Sequence, residues 1–210
     1  MLTAMGDVMR KAYEKGWITT RDGNISVKMT GKDILYITPS GWRKTILHPE
    51  HIIKIKFTPA GLNIPDGTNP SGELSMHSFL QRFRKYTTSV VHLHPTNIIA
   101  AMYAGWDLQE LSNEFPEVSR YTKVGPTVPV LPVTSHELAS ATYKAMTAAD
   151  SNKVIFDIVG QKNHGVCSIG ANPWDAYEHI ERLEHICEIV LKSGVQPYEK
   201  KFKCRYRKNL

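Results

Sequence analysis

The sequence predicts an α/β fold in which helices cover a mixed or largely antiparallel sheet. Strand-like and helix-like segments alternate irregularly along the 210 residues. Several strand-like segments are also joined by links too short for the crossover that parallel neighbours require. The composition, with 41% hydrophobic and 22% charged residues, is typical of a globular domain. No apolar stretch is long enough to span a membrane, so no membrane partner is expected.

The first half of the chain is predicted to contain two helices and three strands. Helices are identified by apolar residues three and four positions apart, and strands by apolar runs bounded by turn residues. In order, the predicted elements are a helix over 3–15 that Gly16 ends, a strand through Ile25 and Val27 after the turn at 20–24, strands over 34–37 and 51–57, and a helix over 72–83 that Ser71 caps.

Three further strands and three helices are predicted in the second half. In order, they are a strand over 88–94 stopped by Pro95, a helix over 97–103 capped by Thr96, a helix capped by Ser135 that runs to about Ala148, strands over 154–159 and 165–169, and a final helix. The final helix is the best defined, because Asn172 caps it, Pro173 occupies its first position and Gly194 ends it. Its apolar stripe is formed by Ala176, Ile180, Leu183, Cys187 and Val190.

The chain shows no internal repeat, low-complexity stretch or long linker, so we expect one domain over residues 1–210 with a basic tail over 195–210. The formal charge of +6 favours anionic partners, and either a solvated tail or a phosphorylated substrate accounts for it. No nucleic-acid-binding motif accompanies the charge, so no nucleic-acid partner is expected. Three cysteines without a paired spacing and an N-terminus without a secretory pattern indicate a cytoplasmic protein.

A pair of histidines at the end of the strand over 88–94 is the strongest chemical signal. Side chains alternate across a strand, so His92 and His94 point to the same face, about 7 Å apart along the chain, and can bind one metal ion. A catalytic zinc takes three protein ligands and keeps an open position. His164, in a tight turn between two predicted strands, is the best third candidate. Isolated histidines are interpreted as surface or hydrogen-bonding residues: His77, His136, His179 and His185.

Glu73 and three turns form a second group of candidates. Glu73 lies in the first turn of a helix, where a carboxylate either only interacts with the helix dipole or acts as a general base beside a metal. The turns at 23–24, 38–41 and 71–72 offer backbone N–H groups and short polar side chains that suit a phosphate, although each is also an ordinary turn. None matches the Walker A or Rossmann pattern, so nucleotide binding is not expected.

Five motifs, taken together and in order, resemble the class II aldolase/adducin family. They are Asp22-Gly-Asn-Ile-Ser26, Thr38-Pro-Ser-Gly41, Ser71-Gly-Glu73, His92-Leu-His-Pro95 and Asn163-His-Gly165. The pattern is closest to the L-fuculose-1-phosphate aldolases of that family. The resemblance implies a three-layer α/β/α sandwich with a mixed, mostly antiparallel sheet. It also implies a homotetramer with active sites between subunits.

The resemblance further implies roles for individual residues. His92, His94 and His164 match the zinc ligands, and Glu73 matches the acid/base residue. The phosphate-binding positions fall on Asn24, Thr38, Gly41, Ser71 and Gly72. The aldolases commonly carry Ser-Ser where this chain has Ser71-Gly72, which removes one hydroxyl. Tyr121 lies near the position of their proton-donating tyrosine, in a loop of different length.

The function implied is a zinc-dependent aldolase that cleaves a ketose 1-phosphate to dihydroxyacetone phosphate and an aldehyde through a metal-stabilised enediolate. Within the family, three alternatives stay open: a pentulose-phosphate 4-epimerase, a methylthioribulose-1-phosphate dehydratase and a metal-dependent decarboxylase. An adducin-like interaction module without catalysis is the alternative from another class. The three histidines and Glu73 argue against such a module, because protein interaction does not require a metal site.

Overall fold

The computed structural model describes residues 1–197, in which seven strands form one antiparallel sheet between two layers of helices. The strands are β1 (Asn24–Lys28), β2 (Ile34–Ile37), β3 (Ile53–Thr58), β4 (Gly61–Asn63), β5 (Thr88–Leu93), β6 (Ile158–Gln161) and β7 (Gly165–Gly170). The helices are α1 (Leu2–Glu14), α2 (Leu74–Gln81), α3 (Thr96–Tyr103), α4 (Leu108–Asn113), α5 (Pro116–Tyr121), α6 (His136–Met146) and α7 (Pro173–Ser193). Short 3-10 turns cover Lys44–Ile46 and Pro49–His51.

The strand order is β4-β3-β2-β1-β5-β7-β6, and every neighbouring pair is antiparallel. Strands β1 and β5 pair in the middle of the sheet, where Asn24 lies opposite His92. On the other side of β5, Cys167 of β7 lies opposite the same histidine. This register places the end of β5 beside the start of β1 and the start of β7, which is where the candidate chemical residues occur.

Alternation along β5 divides the apolar core between the two faces of the sheet. Val91 belongs to the larger cluster, which contains residues of α1, α3 and α7. Val90 belongs to the cluster formed with α2 and α6. Because residues two apart share a face, His92 lies on the same side as Val90 and is directed toward α2. The predicted α/β class, with an antiparallel sheet flanked by helices, is confirmed.

The final helix is confirmed with its predicted caps. The side chain of Asn172 accepts hydrogen bonds from the backbone N–H groups of Trp174 and Asp175, at 2.9 and 3.0 Å. Gly194 ends the helix with φ of 72°, in the left-handed region that favours glycine. The predicted apolar stripe is buried along its whole length. Ser135 is confirmed as the cap of α6, because its Oγ accepts the N–H of Leu138 at 3.0 Å.

Two other predicted caps are wrong. Thr96 is itself the first residue of α3, and Pro95 occupies the cap position without a side-chain hydrogen bond. The free N–H groups of this helix end are bound by the carboxylate of Glu184, which reaches across from α7. Ser71 lies ahead of α2, which begins at residue 74, and its Oγ accepts the N–H of Glu73 at 3.2 Å within the preceding turn.

The strand predicted over 154–159 begins later, at Ile158. Val154 forms only an isolated bridge with Thr147, and the N–H of Asp157 donates to the carbonyl of Lys123 at 2.8 Å. The carbonyl of Asp157 accepts the N–H of Ile169 in β7 at 2.8 Å, so the contact with β7 starts just ahead of the strand, while Val154 pairs elsewhere. The strand predicted over 51–57 likewise begins at residue 53, after the 3-10 turn.

Strand β4 and the helices α4 and α5 were not predicted from the sequence. Asp107 caps α4 by accepting the N–H groups of Gln109 and Glu110, at 2.8 and 2.9 Å. No helix within residues 1–197 combines the length and the apolar character needed to cross a membrane. Most of the predicted basic tail lies beyond the described residues, which end at 197.

Candidate metal centre

Three histidines converge where the central strands end. His92 lies in β5, His94 lies just beyond it, and His164 lies in the turn between β6 and β7. The pairing of β5 with β7, in which Leu93 lies opposite Val166, brings that turn beside the end of β5. One ring nitrogen from each histidine lies within 4.8 Å of the others. The structure thus brings together the three histidines that the sequence indicated.

Hydrogen bonding determines where the proton of His92 resides. Its Nδ1 lies 2.9 Å from the carbonyl oxygen of Val166, and because a carbonyl only accepts, Nδ1 carries the proton. The Nε2 lone pair is left free and lies 2.9 Å from Nε2 of His94. In addition, Nδ1 of His164 is buried and has no hydrogen-bond partner within residues 1–197. Ring nitrogens that lie this close together, with a bare lone pair on His92 Nε2, suit a shared cation.

Burial favours the neutral form of all three imidazoles. It lowers the pKa of His94 to about 4, with a further decrease from the neighbouring His164 and an opposing effect of Asp22. The pKa of His92 lies well below its ordinary value, because of burial first and the other histidines second. Burial also lowers the pKa of His164. Neutral imidazoles offer lone pairs to a metal ion without first releasing a proton.

The conformation of the turn that carries His164 depends on the residues on either side of it, Asn163 and Gly165. Asn163 adopts φ of 58°, a left-handed conformation that asparagine tolerates better than most residues. A Cβ atom at Gly165 would overlap the carbonyl oxygen of Leu93 and would lie 2.8 Å from Cδ2 of His94. Only glycine therefore allows β7 to approach the end of β5 closely enough for the third imidazole to join the pair.

The donor set fits a divalent metal ion. Three neutral imidazoles are the protein ligands of one well-known type of catalytic zinc site, which keeps a further position open. Within residues 1–197, this is the one group of at least three His, Cys, Asp or Glu side chains whose donor atoms converge in this way. The clustering of the three predicted ligands indicates a divalent metal site.

Glu73 is buried in the same region, immediately before α2. Its Oε1 accepts the backbone N–H of Thr134 at 3.1 Å, and its Oε2 has no hydrogen bond within residues 1–197. Burial raises the pKa of this carboxyl group, and the hydrogen bond from Thr134 opposes that increase in part. The pKa of Cys167, which lies opposite His92 in the sheet, is raised by burial first and by the charge of Glu73 second. A partly desolvated carboxyl group beside a metal site is suited to proton transfer.

A cavity of about 430 Å³ connects the histidines, Glu73 and the predicted phosphate turns. It is lined by Arg21, Asp22, Gly23, Asn24, Pro39, Ser40, Gly41, Lys44, Ser71, Gly72, Glu73, His92, His94, Val133, Thr134 and His164. Four of the five predicted phosphate-binding residues are in this lining: Asn24, Gly41, Ser71 and Gly72.

Two predicted site residues do not line the cavity. Thr38 is fully buried beneath it, where its Oγ1 accepts the N–H of Ile25 at 3.3 Å and its carbonyl accepts the N–H of Ser71 at 3.1 Å. Thr38 thus holds two of the lining segments together. Tyr121 is 51% exposed at the end of α5, where the guanidinium groups of Arg120 and Arg182 lie against its ring. Within its own chain, Tyr121 does not reach this cavity.

Lys44 is a buried lysine in the cavity lining that was not predicted from the sequence. Its Nζ donates to the carbonyl oxygens of Arg21 and Trp42, at 2.9 and 3.1 Å. Burial lowers the pKa of Lys44 to about 8, and the nearby charge of Asp22 opposes this decrease. No sequence signal identifies it, because a lysine in a polar turn is ordinarily exposed. Its position depends on how the two turns fold against each other.

Comparison with known proteins gives a family match over most of the chain. The family model described as Class II Aldolase and Adducin N-terminal domain matches residues 3–191. An L-fuculose phosphate aldolase from Methanococcus maripaludis is 28% identical over 177 residues, which cover 84% of this chain and 88% of that protein. A methylthioribulose-1-phosphate dehydratase from Pectobacterium carotovorum is 24% identical over 200 residues, covering 90% of this chain and 93% of that protein.

Solved structures give the same fold. The crystal structure of L-fuculose-1-phosphate aldolase from Thermus thermophilus matches with a TM-score of 0.70 and 23% identity. The match covers 95% of this chain and 94% of that one. At this level of identity the similarity concerns the fold, and it confirms the arrangement of a sheet between helices that the sequence predicted.

Proposed function

Because the chain belongs to the class II aldolase and adducin N-terminal domain family, we propose that it is a zinc-dependent aldolase acting on a ketose 1-phosphate. The products would be dihydroxyacetone phosphate and an aldehyde. The observation that carries the proposal is the convergence of His92, His94 and His164 with a buried Glu73 in one cavity. The relatives named L-fuculose phosphate aldolase, matched over most of their length, support this choice of reaction.

In this proposal, His92, His94 and His164 hold the zinc ion through three neutral nitrogens. Zinc bound there would act as a Lewis acid that polarises a carbonyl group and stabilises negative charge developing on its oxygen. The hydrogen bond from Nδ1 of His92 to the carbonyl of Val166 fixes the orientation of that imidazole. The three side chains therefore define where the reacting carbonyl has to lie.

Glu73 is the proposed acid/base residue. The bond from Thr134 holds Oε1, which leaves Oε2 as the oxygen that can exchange a proton with the carbon next to the carbonyl. The raised pKa of the carboxyl group brings it closer to the range in which it can both take up and release a proton. Replacement of Glu73 by Gln keeps the shape but removes this exchange.

The phosphate is proposed to bind at the turns of the same cavity. Asn24 and Ser71 contribute side-chain groups, while Gly41 and Gly72 allow close approach of the backbone. Thr38 has an indirect role, because its hydrogen bonds to Ile25 and Ser71 connect the segments that carry these residues. The buried ammonium group of Lys44 adds positive charge at the wall of the cavity.

We further propose a homotetramer in the cytoplasm with active sites between subunits. Tyr121 lies outside the cavity of its own chain, so it could donate a proton to the departing aldehyde only from a neighbouring copy. The buried free thiols of Cys167 and Cys187 support a reducing compartment. Mass measurement of the native protein tests the tetramer, and a monomer with full activity would contradict both the shared site and this role of Tyr121.

The decisive assay is a panel of ketose 1-phosphates tested for release of dihydroxyacetone phosphate, with and without a chelator. We expect release from at least one substrate, abolished by the chelator and restored by zinc. The Glu73→Gln variant should keep its zinc and lose nearly all turnover, whereas Glu137→Gln, at an exposed position in the first turn of α6, should keep both. Full activity of Glu73→Gln would show that Glu73 is not the acid/base residue.

A methylthioribulose-1-phosphate dehydratase is the second candidate, because relatives with that name match at 24–25% identity over most of this chain. Product masses distinguish the reactions. An aldolase yields two fragments, a dehydratase yields a product lighter by one water, and an epimerase yields a product of unchanged mass. Absence of a tightly bound divalent metal from the purified protein would instead favour a non-catalytic, adducin-like module.

A further inference from the structure

A row of four polar side chains connects helix α2 to the cavity. His77 and Gln81 are one helical turn apart on α2 and lie on the same side of it. Asn24 and Ser26 are two residues apart on β1 and face α2. Gln81 Nε2 lies 2.5 Å from Ser26 Oγ, Ser26 Oγ lies 2.7 Å from His77 Nδ1, and His77 Nε2 lies 2.5 Å from Asn24 Oδ1. All four residues are buried.

The hydrogen bonds in this row run in one direction. An amide oxygen only accepts, so the contact with Asn24 Oδ1 requires the proton on Nε2 of His77. Burial lowers the pKa of His77 to about 3, so the ring is neutral and its Nδ1 is bare. The hydroxyl of Ser26 therefore donates to Nδ1, and its oxygen accepts from the amide nitrogen of Gln81.

The opposite direction would require both amides to turn over, so that Asn24 directed its oxygen toward the cavity. In the present direction, Gln81 donates one N–H of its amide to Ser26 and leaves Oε1 without a partner. The amide orientations in the structure, with Gln81 Nε2 toward Ser26 and Asn24 Oδ1 toward His77, therefore define the direction of the row.

The cavity end of the row is a free donor group. The Nδ2 of Asn24 makes no hydrogen bond within residues 1–197, and Asn24 is part of the cavity lining. The buried ammonium group of Lys44 lines the same space. A donor beside a cation is suited to an anionic ligand group.

We propose that the row from Gln81 through Ser26 and His77 holds the amide of Asn24 with its NH₂ group toward the cavity, which makes His77 a positioning residue for an anion there. The identification of that anion as the substrate phosphate rests on the proposed function. The orientation of the amide does not, because it follows from the buried hydrogen bonds alone.

The proton position on His77 tests the orientation directly. In zinc-loaded, ¹⁵N-histidine-labelled protein, the signals of His77 are assigned by their absence from the His77→Gln variant. We expect a neutral ring protonated at Nε2 and unprotonated at Nδ1. A ring protonated at Nδ1 would overturn the proposal, because Asn24 would then have to direct its oxygen toward the cavity. This measurement requires no phosphate and no turnover.

A binding experiment with inorganic phosphate tests the effect on the cavity. Ser26→Ala removes the middle of the row and leaves the Asn24 amide free to adopt both orientations, so phosphate affinity should fall by about twofold when the two are equally populated. Ser89→Ala is the matched control, since the hydroxyl of Ser89 is also buried in a central strand but has no hydrogen-bond partner within residues 1–197. Zinc content should be unchanged in both variants.

The outcomes separate the two proposals. Unchanged phosphate affinity in Ser26→Ala would overturn the positioning role. If the wild-type protein does not bind phosphate while His77 is protonated at Nε2, the amide orientation is supported and the proposed sugar-phosphate function is refuted. Reduced affinity in Ser26→Ala, together with wild-type affinity in Ser89→Ala, supports both.

Discussion

The carboxylate of Glu184 should make a large contribution to stability, although it lies outside the metal site. Its Oε1 accepts the backbone N–H and the side-chain Nδ2 of Asn97, at 3.0 and 2.9 Å, and its Oε2 accepts the N–H of Ile98 at 2.9 Å. These bonds supply the N-terminal cap that α3 lacks. Because α3 begins directly after His94-Pro95, they also fix the segment that carries a metal ligand.

The size of the effect follows from the number of bonds. A hydrogen bond to a charged group contributes about 1.5–3 kcal/mol. Burial, however, raises the pKa of Glu184 more than its hydrogen bonds lower it, so desolvation of the charge offsets part of the gain. We therefore expect Glu184→Ala to lower the free energy of unfolding by about 3 kcal/mol, and the isosteric Glu184→Gln by about 1–2 kcal/mol.

Urea unfolding of chelator-treated protein at neutral pH measures this difference without a contribution from bound metal. Glu181→Ala is the matched control on the same helix, because within residues 1–197 Glu181 makes only a partly exposed ion pair with Lys15 at 3.7 Å. It should change the free energy of unfolding by less than about 1 kcal/mol. Equal losses in Glu184→Ala and Glu181→Ala would refute the reasoning from the cap.

Three further predictions concern Lys44 and Gly165. Burial lowers the pKa of Lys44 from its ordinary value of 10.5 to about 8. The affinity for inorganic phosphate should therefore fall as the pH rises through about 8, because Lys44 loses its charge there. Lys44→Met should remove that dependence. Because its pKa is lower in the folded protein, Lys44 keeps its proton to higher pH in the unfolded chain. The free energy of unfolding should therefore rise between about pH 8 and 10.5 in wild type but not in Lys44→Met. A flat profile in wild type would contradict the lowered pKa of Lys44. Gly165→Ala should lower the free energy of unfolding by about 1–3 kcal/mol, because its Cβ would separate β7 from Leu93. The same separation should weaken zinc binding measured by titration. Unchanged zinc affinity would show that this close approach is not required.

The elements that the sequence predicted well are those defined by local patterns. The helix α7 has a cap, an N-terminal proline, a continuous apolar stripe and a final glycine, and all four signals agree with the structure. Strand β5 is buried over its whole length and is followed closely by Pro95, and strand alternation was sufficient to place His92 on one face. Local signals of this kind do not depend on which other segments pack nearby.

The elements that were missed depend on distant partners. Nothing near Thr96 indicates that Glu184, in the last helix of the chain, supplies its helix cap. The burial of Lys44 follows from its contacts with the carbonyls of Arg21 and Trp42, which come together only in the folded chain. The third histidine was predicted from its position in a tight turn and from the family motif, since the pairing of β5 with β7 cannot be read from either strand alone.

The central claim is that the three imidazoles bind one divalent cation, and metal stoichiometry tests it most directly. Zinc titrated into chelator-treated protein should bind tightly at one ion per chain. The His164→Ala variant should lose this tight site, whereas His136→Ala, at an exposed histidine outside the cavity lining, should retain it. Tight zinc binding at one ion per chain in His164→Ala, or no tight binding in wild type, would contradict the account.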